Sequence, residues 1–226
     1  MMESERNPAS CSEIKECWPS SYDGEYWLYP KRFGRKSPVK VYCHNMSSPE
    51  TAEEYVTLQR QNYFIGHDAS HLISFARCTR NSLPIMRTEF SKVRINIESM
   101  SVVQEDFTFA MTTGNSSKVE NVPFGTSSDC TAETWWEKRW GPCQLEGTFL
   151  IDLQDTGLSI VKSVGWVNGS ADWFSEIRQF SRSADSTTVS CLVIGWCGNC
   201  LPNDTIILEP LTGAETTGTA QTVICD

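Results

Sequence analysis

Ten cysteines constrain this chain more than any other feature of its sequence. Their number is even and they are dispersed, whereas a zinc protein groups its cysteines in paired CxxC motifs and only Cys197-Gly-Asn-Cys200 has that spacing. The pattern predicts at least four disulfides formed in an oxidising compartment, with Cys130–Cys143 as the safest local pair and the other pairings open. The disulfide candidates are Cys11, Cys17, Cys43, Cys78, Cys130, Cys143, Cys191, Cys197, Cys200 and Cys225.

N-glycosylation motifs agree with that compartment. Four sequons begin at Asn45, Asn115, Asn168 and Asn203, each in polar surroundings. The first residues, 1–6, are polar and lack the apolar segment of a signal peptide. We therefore expect a secreted or extracellular-matrix location for a fragment of a longer precursor. A cytoplasmic origin is the alternative.

Composition and charge limit the classes of function. Apolar residues make up 39% and charged residues 21% of 226 residues, which suits one large β domain or two lobes. The net charge of −9 argues against nucleic acid as a partner, and no apolar run reaches the roughly 20 residues that span a bilayer, so we expect no membrane insertion. A local basic group is interpreted as a solvated loop; it comprises Lys31, Arg32, Arg35, Lys36 and Lys40.

Short alternating segments predict strands. In residues 92–98, Val93, Ile95 and Ile97 fall on one face, the pattern of a half-buried strand. Similar runs occur at 25–29, 39–43, 54–58, 107–111, 148–153, 158–164, 189–194 and 205–208. The fold class is therefore mainly β with one or two short helices, as a disulfide-rich sandwich or two packed β lobes.

Helices and boundaries are predicted as follows. A helical turn at 12–17 would be capped by Ser12, residues 67–75 suggest a short helix, and the i, i+4, i+7 spacing of Trp173, Ile177 and Phe180 suggests another. Residues 1–10 are expected to be a flexible leader and 11–226 one domain, with sub-lobes at 11–112 and 148–226.

Several segments resemble, in order, the GON domain of ADAMTS metalloproteases. They are Cys11-Ser-Glu-Ile-Lys15, Asp23-Gly-Glu-Tyr26, residues 39–46, 54–58 and 90–97, Asp106-Phe-Thr-Phe-Ala110, Val122-Pro-Phe124, Asp129-Cys130, residues 147–158, Trp166 and Cys197-Gly-Asn-Cys200. The resemblance runs from about residue 11 to 208 and implies a non-catalytic module of a larger secreted protein. Residues 131–140 look like an insertion, and Cys17 and Cys225 look additional.

A second resemblance covers less of the chain. Residues 23–27, Pro30 and 41–43 are similar to the opening hairpin of fibrinogen-like and fibrillar-collagen C-terminal domains. It implies the alternative function, a recognition module for glycans or matrix proteins. The calcium loop of that family has no D-x-D counterpart here, where only Asp204 and Glu209 are available.

The resemblance points to a protease parent, so histidines and cysteines with the spacing of metal or catalytic motifs are relevant. His67 and His71 have i, i+4 spacing but lack the glutamate of H-E-x-x-H, so a polar surface is the favoured interpretation. Cys191, Cys197 and Cys200 could supply zinc ligands, but disulfides are favoured. His44 is expected to be exposed in a turn. We predict no catalytic residue and no cofactor, with zinc as the minor alternative and a divergent enzyme as a third hypothesis.

A tryptophan-rich segment is the candidate for binding. Trp135, Trp136 and Trp140 flank Arg139, a composition typical of interface hot spots. A satellite core over the Cys130–Cys143 region explains them equally well. The expected partner is an extracellular or secretory-pathway protein, with a glycan as a second class.

Overall fold

A computed structural model describes residues 6–68, 86–114, 121–128, 145–169, 176–195, 198–211 and 219–225, with the backbone alone for 67, 68, 145 and 195. The mainly β prediction is confirmed, since strands dominate these segments. Their helices are one α-helix, α1 (Cys11–Cys17), and a 3-10 turn at Lys31–Phe33. None of the helices in the described segments is long and apolar enough to cross a membrane.

Among the described residues, two strands have 16 and 11 residues, and the others have eight or fewer. The strands are β1 (Gly24–Leu28), β2 (Val39–His44), β3 (Glu53–Asp68), β4 (Met86–Asn96), β5 (Ser101–Val102), β6 (Ala110–Gly114), β7 (Ser127–Ser128), β8 (Leu145–Asp152), β9 (Leu158–Ile160), β10 (Trp166–Asn168), β11 (Glu176–Arg182), β12 (Thr188–Gly195), β13 (Asn199–Pro202) and β14 (Leu208–Pro210).

One nine-stranded sheet contains most of these strands, in the order β1-β2-β3-β8-β12-β11; β4 branches from β3, and β5 and β6 pair with β4. The branch exists because β3 is long enough to change neighbours. Its first part pairs with β2 and β4, and its second part pairs with β4 and β8. Strands from the two predicted sub-lobes, 11–112 and 148–226, are thus hydrogen-bonded within one sheet.

A register shift between Thr57 and Asn62 separates the two parts of β3. Next to this shift the buried Asn62 amide binds β8: its Nδ2 donates to the Asp152 carbonyl at 2.8 Å and its Oδ1 accepts the Asp152 N–H at 2.7 Å. The side-chain amide thereby extends the β3–β8 pairing beyond Tyr63 and Leu150, and a buried polar group is satisfied beside the irregularity.

Alternating residues build the core. Val93, Ile95 and Ile97 are 1%, 2% and 7% exposed, as their alternation predicted. Val39, Val41 and Cys43 of β2 are buried beside them, and the same cluster includes buried residues of β8 and β12. The opposite face of β1–β4 carries the polar and aromatic positions of the alternation, and this arrangement exposes the surface described below.

Two corrections concern the N-terminal region. Helix α1 is capped by Ser10, whose Oγ accepts the Glu13 N–H at 3.1 Å, rather than by Ser12, which lies inside the helix. Residues 6–10 are part of the folded domain: the Arg6 N–H donates to the Cys225 carbonyl at 2.9 Å and the reverse bond is 3.0 Å. Ala9 is buried. Residues 1–5 of the predicted leader lie outside the described segments.

The predicted helix ending at Phe180 is wrong for residues 176–180, which belong to β11. A register irregularity between Ile177 and Gln179 is the reason. Ile177 lies opposite Val193, and Phe180 lies opposite Cys191, so one extra residue places side chains three apart on the same face. A bulged strand therefore imitates helical spacing.

Other predicted boundaries also change. His67 belongs to β3, not to a helix, and residues 69–75 of that prediction lie outside the described segments. Phe107 and Phe109 precede β6 in turns, and the last predicted strand is displaced to β14. β6 and β14 are short strands, where the local pattern is weakest.

Three disulfides occur among the described residues. Cys11–Cys43 joins α1 to β2, Cys17–Cys225 joins α1 to the C-terminal segment, and Cys191–Cys200 joins β12 to β13. The remaining cysteines lie outside the described segments: Cys78, Cys130, Cys143 and Cys197. The expectation of at least four disulfides, including Cys130–Cys143, thus stays a prediction.

Candidate functional site

The outer face of strands β1–β4 carries a cluster of aromatic rings with one lysine, here called the aromatic cluster. Alternation turns its β2 members away from buried Val41 and Cys43, and the register sets Tyr42 opposite Tyr55. The Phe109 carbonyl accepts the Ser91 N–H at 3.0 Å, which brings its ring over the sheet. The cluster consists of Tyr42, His44, Tyr55, Phe109 and Lys92.

Phe109 is the centre of the ring packing. Its centroid lies 4.8 Å from Tyr55, 5.1 Å from His44 and 5.8 Å from Tyr42, and each pair meets edge to face. This geometry sets the positive edge of one ring against the negative face of another. Tyr55 is fully buried, while the other three rings are half-buried and remain partly open to solvent.

Lys92 brings a cation into the cluster. Its Nζ lies 4.4 Å from the Tyr42 ring centroid and 5.6 Å from that of Phe109. The same Nζ donates to Thr57 Oγ1 at 3.0 Å, and the Thr57 hydroxyl donates to Glu25. Burial lowers the pKa of Lys92, although the nearby Glu25 carboxylate opposes that shift. A partly desolvated ammonium over aromatic faces interacts more strongly than one in water.

Carboxylates and an arginine border the cluster beside Tyr55. The Tyr55 hydroxyl lies 3.2 Å from both Asp106 Oδ2 and Glu53 Oε2, so its single hydrogen is shared between them. Arg94 contacts the same two acids, at 2.9 Å from Glu53 and 3.5 Å from Asp106. Burial, together with the carboxylates, raises the pKa of Tyr55 to about 12. The phenol is therefore a fixed hydrogen-bond donor at neutral pH.

Asp23 fixes the turn that follows β2. Its carboxylate accepts the Met46 N–H at 2.8 Å and the Asn45 N–H at 3.1 Å, and the His44 ring Nδ1 lies 2.8 Å from it. Burial alone would raise the pKa of Asp23, but these hydrogen bonds outweigh it and hold that pKa below its usual value. The His44 ring is thereby oriented against Phe109, contrary to the expectation that His44 is simply exposed.

These contacts hold the side chains of the aromatic cluster in fixed positions. Half-buried aromatic rings, a cation and bordering carboxylates offer apolar area and hydrogen-bonding groups together. Sequence reasoning missed the cluster, because its members come from separate strands and a turn. The usable signal was the aromatic or polar residue at every second position of β2.

The zinc candidates are not assembled. Cys191 and Cys200 are joined in a disulfide, as the sequence favoured, so neither sulfur is a free thiolate and the minor zinc alternative fails at these two residues. His67 lies in strand β3, not in the helix that a pair of histidines with i, i+4 spacing would need. Cys197 and His71 lie outside the described residues. In the described part of the chain no three histidine, cysteine or acidic side chains form a metal-binding group.

The other candidate residues divide between described and undescribed segments. Trp135, Trp136, Trp140 and Arg139 lie outside the described residues, as does Asn115. Asn45 is exposed in the turn after β2, Asn168 is exposed at the end of β10, and Asn203 is exposed after β13. Asn203 Oδ1 accepts the Gly165 N–H at 2.8 Å.

The basic loop is partly neutralised. Lys31 and Arg35 lie 3.5 and 3.0 Å from Glu13, and Arg6 lies 3.6 Å from the same carboxylate. Burial would raise the pKa of Glu13, but the hydrogen bonds from Ala9 and Arg35 and the surrounding cations lower it overall. These cations tie the loop to α1. The sequence had suggested a loop that only faces solvent.

Fold and surface together define a mainly β, disulfide-stapled domain with an aromatic face on its main sheet. Comparison with protein families places it more specifically: the GON domain model matches residues 8–210. The chain belongs to the GON domain family, an ancillary, non-protease domain of ADAMTS proteins. The match includes the opening hairpin on which the fibrinogen-like alternative rested.

Curated relatives agree with the family assignment. The chain is 31% identical over 210 residues to human (Homo sapiens) "A disintegrin and metalloproteinase with thrombospondin motifs 20", covering 87% of this chain and 10% of the relative. It is 28% identical over 216 residues to "A disintegrin and metalloproteinase with thrombospondin motifs gon-1" of Caenorhabditis elegans. That match covers 88% of this chain and 9% of the relative. The chain thus spans about a tenth of these relatives. No solved structure matches.

Proposed function

We propose that this chain is a non-catalytic, extracellular recognition module, ancillary to an ADAMTS-type metalloprotease or matrix protein. The family match over residues 8–210 supports the ancillary role. Such recognition would serve the secretion or the matrix placement of the larger protein. The proposed partner is an extracellular or secretory-pathway protein. A matrix glycan is the alternative partner.

The aromatic cluster is the observation that favours recognition. Its rings are held by edge-to-face packing and by the Asp23 turn before any partner arrives. Less side-chain entropy is therefore lost on binding, and a rigid aromatic anchor contributes more to affinity than a mobile one. Tyr42 and His44 remain partly open and are the two side chains that a partner would contact.

Matrix binding by the secreted chain tests this proposal. The purified, oxidised protein is titrated onto matrix deposited by cultured cells, and Tyr42→Ala/His44→Ala is compared with Tyr22→Ala. Tyr22 is 63% exposed and lies outside the cluster, so it is the matched control. We expect the double variant to bind about tenfold more weakly and the control to bind normally. Equal binding by all three proteins would remove the cluster from the recognition surface.

Proteolysis assays test the non-catalytic role. The chain is incubated with casein, gelatin and a proteoglycan, with and without added zinc, and products are followed by electrophoresis. We expect no cleavage. Cleavage that survives repurification and disappears in His67→Ala or His71→Ala would show a catalytic site and defeat the proposal.

Glycan occupancy tests the extracellular location. When a eukaryotic secretory host produces the chain, we expect glycans on some of Asn45, Asn115, Asn168 and Asn203. Asn45 is the best described acceptor, because its side chain is exposed in a turn. Peptide mapping after enzymatic deglycosylation would locate the modified asparagines. An unmodified mass for secreted material would contradict this expectation.

A further inference from the structure

A cleft of about 710 Å³ lies on another part of the surface, between the start of α1, the β2–β3 turn and the end of β4. We call it the α1–β4 cleft. Apolar side chains of Ala52, Ile95 and Val103 line it, and Val103 is 37% exposed. An exposed apolar lining in a concave surface is a feature of binding grooves.

The cations in the cleft lining already have anionic partners. Lys31 lies 3.5 Å from Glu13. Arg94 lies 2.9 Å from Glu53 and 3.5 Å from Asp106. Arg94 is therefore compensated, whereas Lys31 shares Glu13 with Arg6 and Arg35, so the α1 end of the cleft keeps some positive charge.

Three further carboxylates of the lining have no such compensation: Glu50, Glu54 and Glu98. Glu54 accepts the Cys11 N–H at 2.9 Å, and Glu50 hydrogen bonds with Ser48. Within the described segments, no lysine or arginine lies at ion-pair distance from any of the three. Arg94 partly offsets the charge of Glu54. The cleft therefore combines the exposed apolar side chain of Val103 with a negative rim formed by the exposed Glu50 and Glu98.

We propose that the α1–β4 cleft binds a basic segment of a partner protein. The aliphatic stems of arginine or lysine side chains pack on Ala52 and Val103, and their charged ends meet Glu50 and Glu98 at the exposed rim. Long basic side chains suit such a surface, because they bury apolar stems while the charged ends stay at the rim. Opposite charge also speeds encounter and selects against acidic partners.

Arg94 borders both this cleft and the aromatic cluster, but Glu50 and Glu98 lie outside the cluster, so each surface can be tested without the other. Burial raises the pKa of Glu54, which places the stronger share of the charge on the exposed Glu50 and Glu98. The rim pair is therefore the better target for substitution. Both side chains are exposed, and their replacement by glutamine leaves the core unchanged.

Fluorescence anisotropy with a labelled, end-blocked decapeptide of alternating arginine and leucine provides the test. The probe is titrated with the full oxidised chain, and a second probe carries citrulline in place of arginine, which keeps the side-chain shape and removes the charge. We expect the arginine probe to bind at least about tenfold more tightly than the citrulline probe, and to weaken as salt rises.

Two double variants locate the site. Glu50→Gln/Glu98→Gln should weaken the arginine probe about tenfold, since two partly exposed ion pairs are lost. Glu176→Gln/Asp204→Asn has the same net charge but alters exposed acids elsewhere, and it should bind like the parent chain. Thermal unfolding verifies that all proteins are folded.

Several results would overturn the proposal. They are no binding of the arginine probe up to about 1 mM, equal binding of the citrulline probe, and equal weakening by both double variants. The last result would indicate attraction by net charge rather than by this cleft. Failure here would leave the matrix-binding test of the aromatic cluster unaffected.

Discussion

Arg182 shows how one residue can organise main chain. Its guanidinium donates to the carbonyls of Ile160, Val161 and Val164 at 2.9, 3.0 and 2.6 Å, and its Nε donates to Ser186 Oγ at 3.1 Å. A planar fork of five donors can satisfy several carbonyls at once, which an ammonium cannot do. Arg182 thereby attaches the segment after β9 to the end of β11.

Replacing Arg182 by alanine should lower the free energy of unfolding by about 2–3 kcal/mol, because several partly buried carbonyls lose their donors. Arg182→Lys should recover only a fraction of that loss. Urea unfolding measures both. Arg178→Ala is the control, since Arg178 is exposed and pairs with the exposed Glu176, and it should change the free energy of unfolding by less than about 0.5 kcal/mol. Equal effects at 178 and 182 would contradict this role.

Asp23 makes a pH-dependent contribution to stability. Its folded-state pKa lies below the ordinary value of 3.8. As pH falls below that value the unfolded chain takes up a proton first, so the contribution is present at neutral pH and disappears as pH falls through the folded pKa. We expect the stability difference between the parent chain and Asp23→Asn to be larger at pH 7 than at about pH 3.

Urea unfolding of both proteins at several pH values measures this difference. Asp204→Asn is a suitable control, because Asp204 is exposed and its carboxylate accepts the adjacent Thr205 N–H. A difference that stays constant from pH 7 to pH 3, or grows on acidification, would contradict the assigned hydrogen bonds.

At the scale of elements, strands β7 and β8 approach each other so closely that a glycine is required at their contact. Strand β7 lies directly over β8 at Gly147, where an added Cβ would stand 2.2 Å from the Ser128 carbonyl oxygen and 2.5 Å from its carbon. These are backbone atoms within a strand and cannot rotate away. Only glycine permits this approach, because it has no side chain.

Gly147→Ala should therefore destabilise the domain by about 3 kcal/mol or prevent its secretion in folded form. Gly24→Ala is the matched control: its Cβ would meet a flexible end, Gln221 Nε2, at 3.3 Å. Thermal unfolding and the yield of oxidised, secreted protein measure the effect. A Gly147→Ala protein as stable as the Gly24→Ala protein would show that β7 does not lie where the structure places it.

The C-terminal segment closes the whole molecule. Residues 219–225 run beside β1, where Trp27 N–H donates to the Gln221 carbonyl at 3.0 Å and Gln221 N–H donates to the Glu25 carbonyl at 2.8 Å. Cys17–Cys225 fixes this arrangement across a sequence separation of 208 residues. The segment covers an edge of the main sheet that could otherwise pair with another chain.

Removing this bridge as Cys17→Ser/Cys225→Ser should lower the free energy of unfolding by about 5 kcal/mol in the chain-entropy model, because the bridge closes a very long loop. Under native conditions, the amide hydrogens of Arg6, Trp27 and Cys225 should also exchange faster in this variant than in the parent chain. Urea unfolding and hydrogen exchange measure the two effects. Unchanged protection at these amides would show that the C-terminal segment is held without the disulfide.

The sequence alone determined the features that depend on residue type and on local spacing along the chain. Dispersed cysteines indicated a disulfide-stapled β domain, and the ordered GON-like segments indicated the family that the comparison confirmed. Alternation placed Val93, Ile95 and Ile97 on one buried face, because side chains on a strand change sides at every residue.

Only the tertiary structure decided which distant residues meet. The bulge in β11 gave Ile177 and Phe180 a common face, and the spacing alone had indicated a helix. Strand register brought Tyr42, Tyr55 and Phe109 together, and chain closure joined Cys17 to Cys225. Pairing of this kind depends on the free energy of the whole sheet, so it leaves no periodic signal in the neighbouring residues.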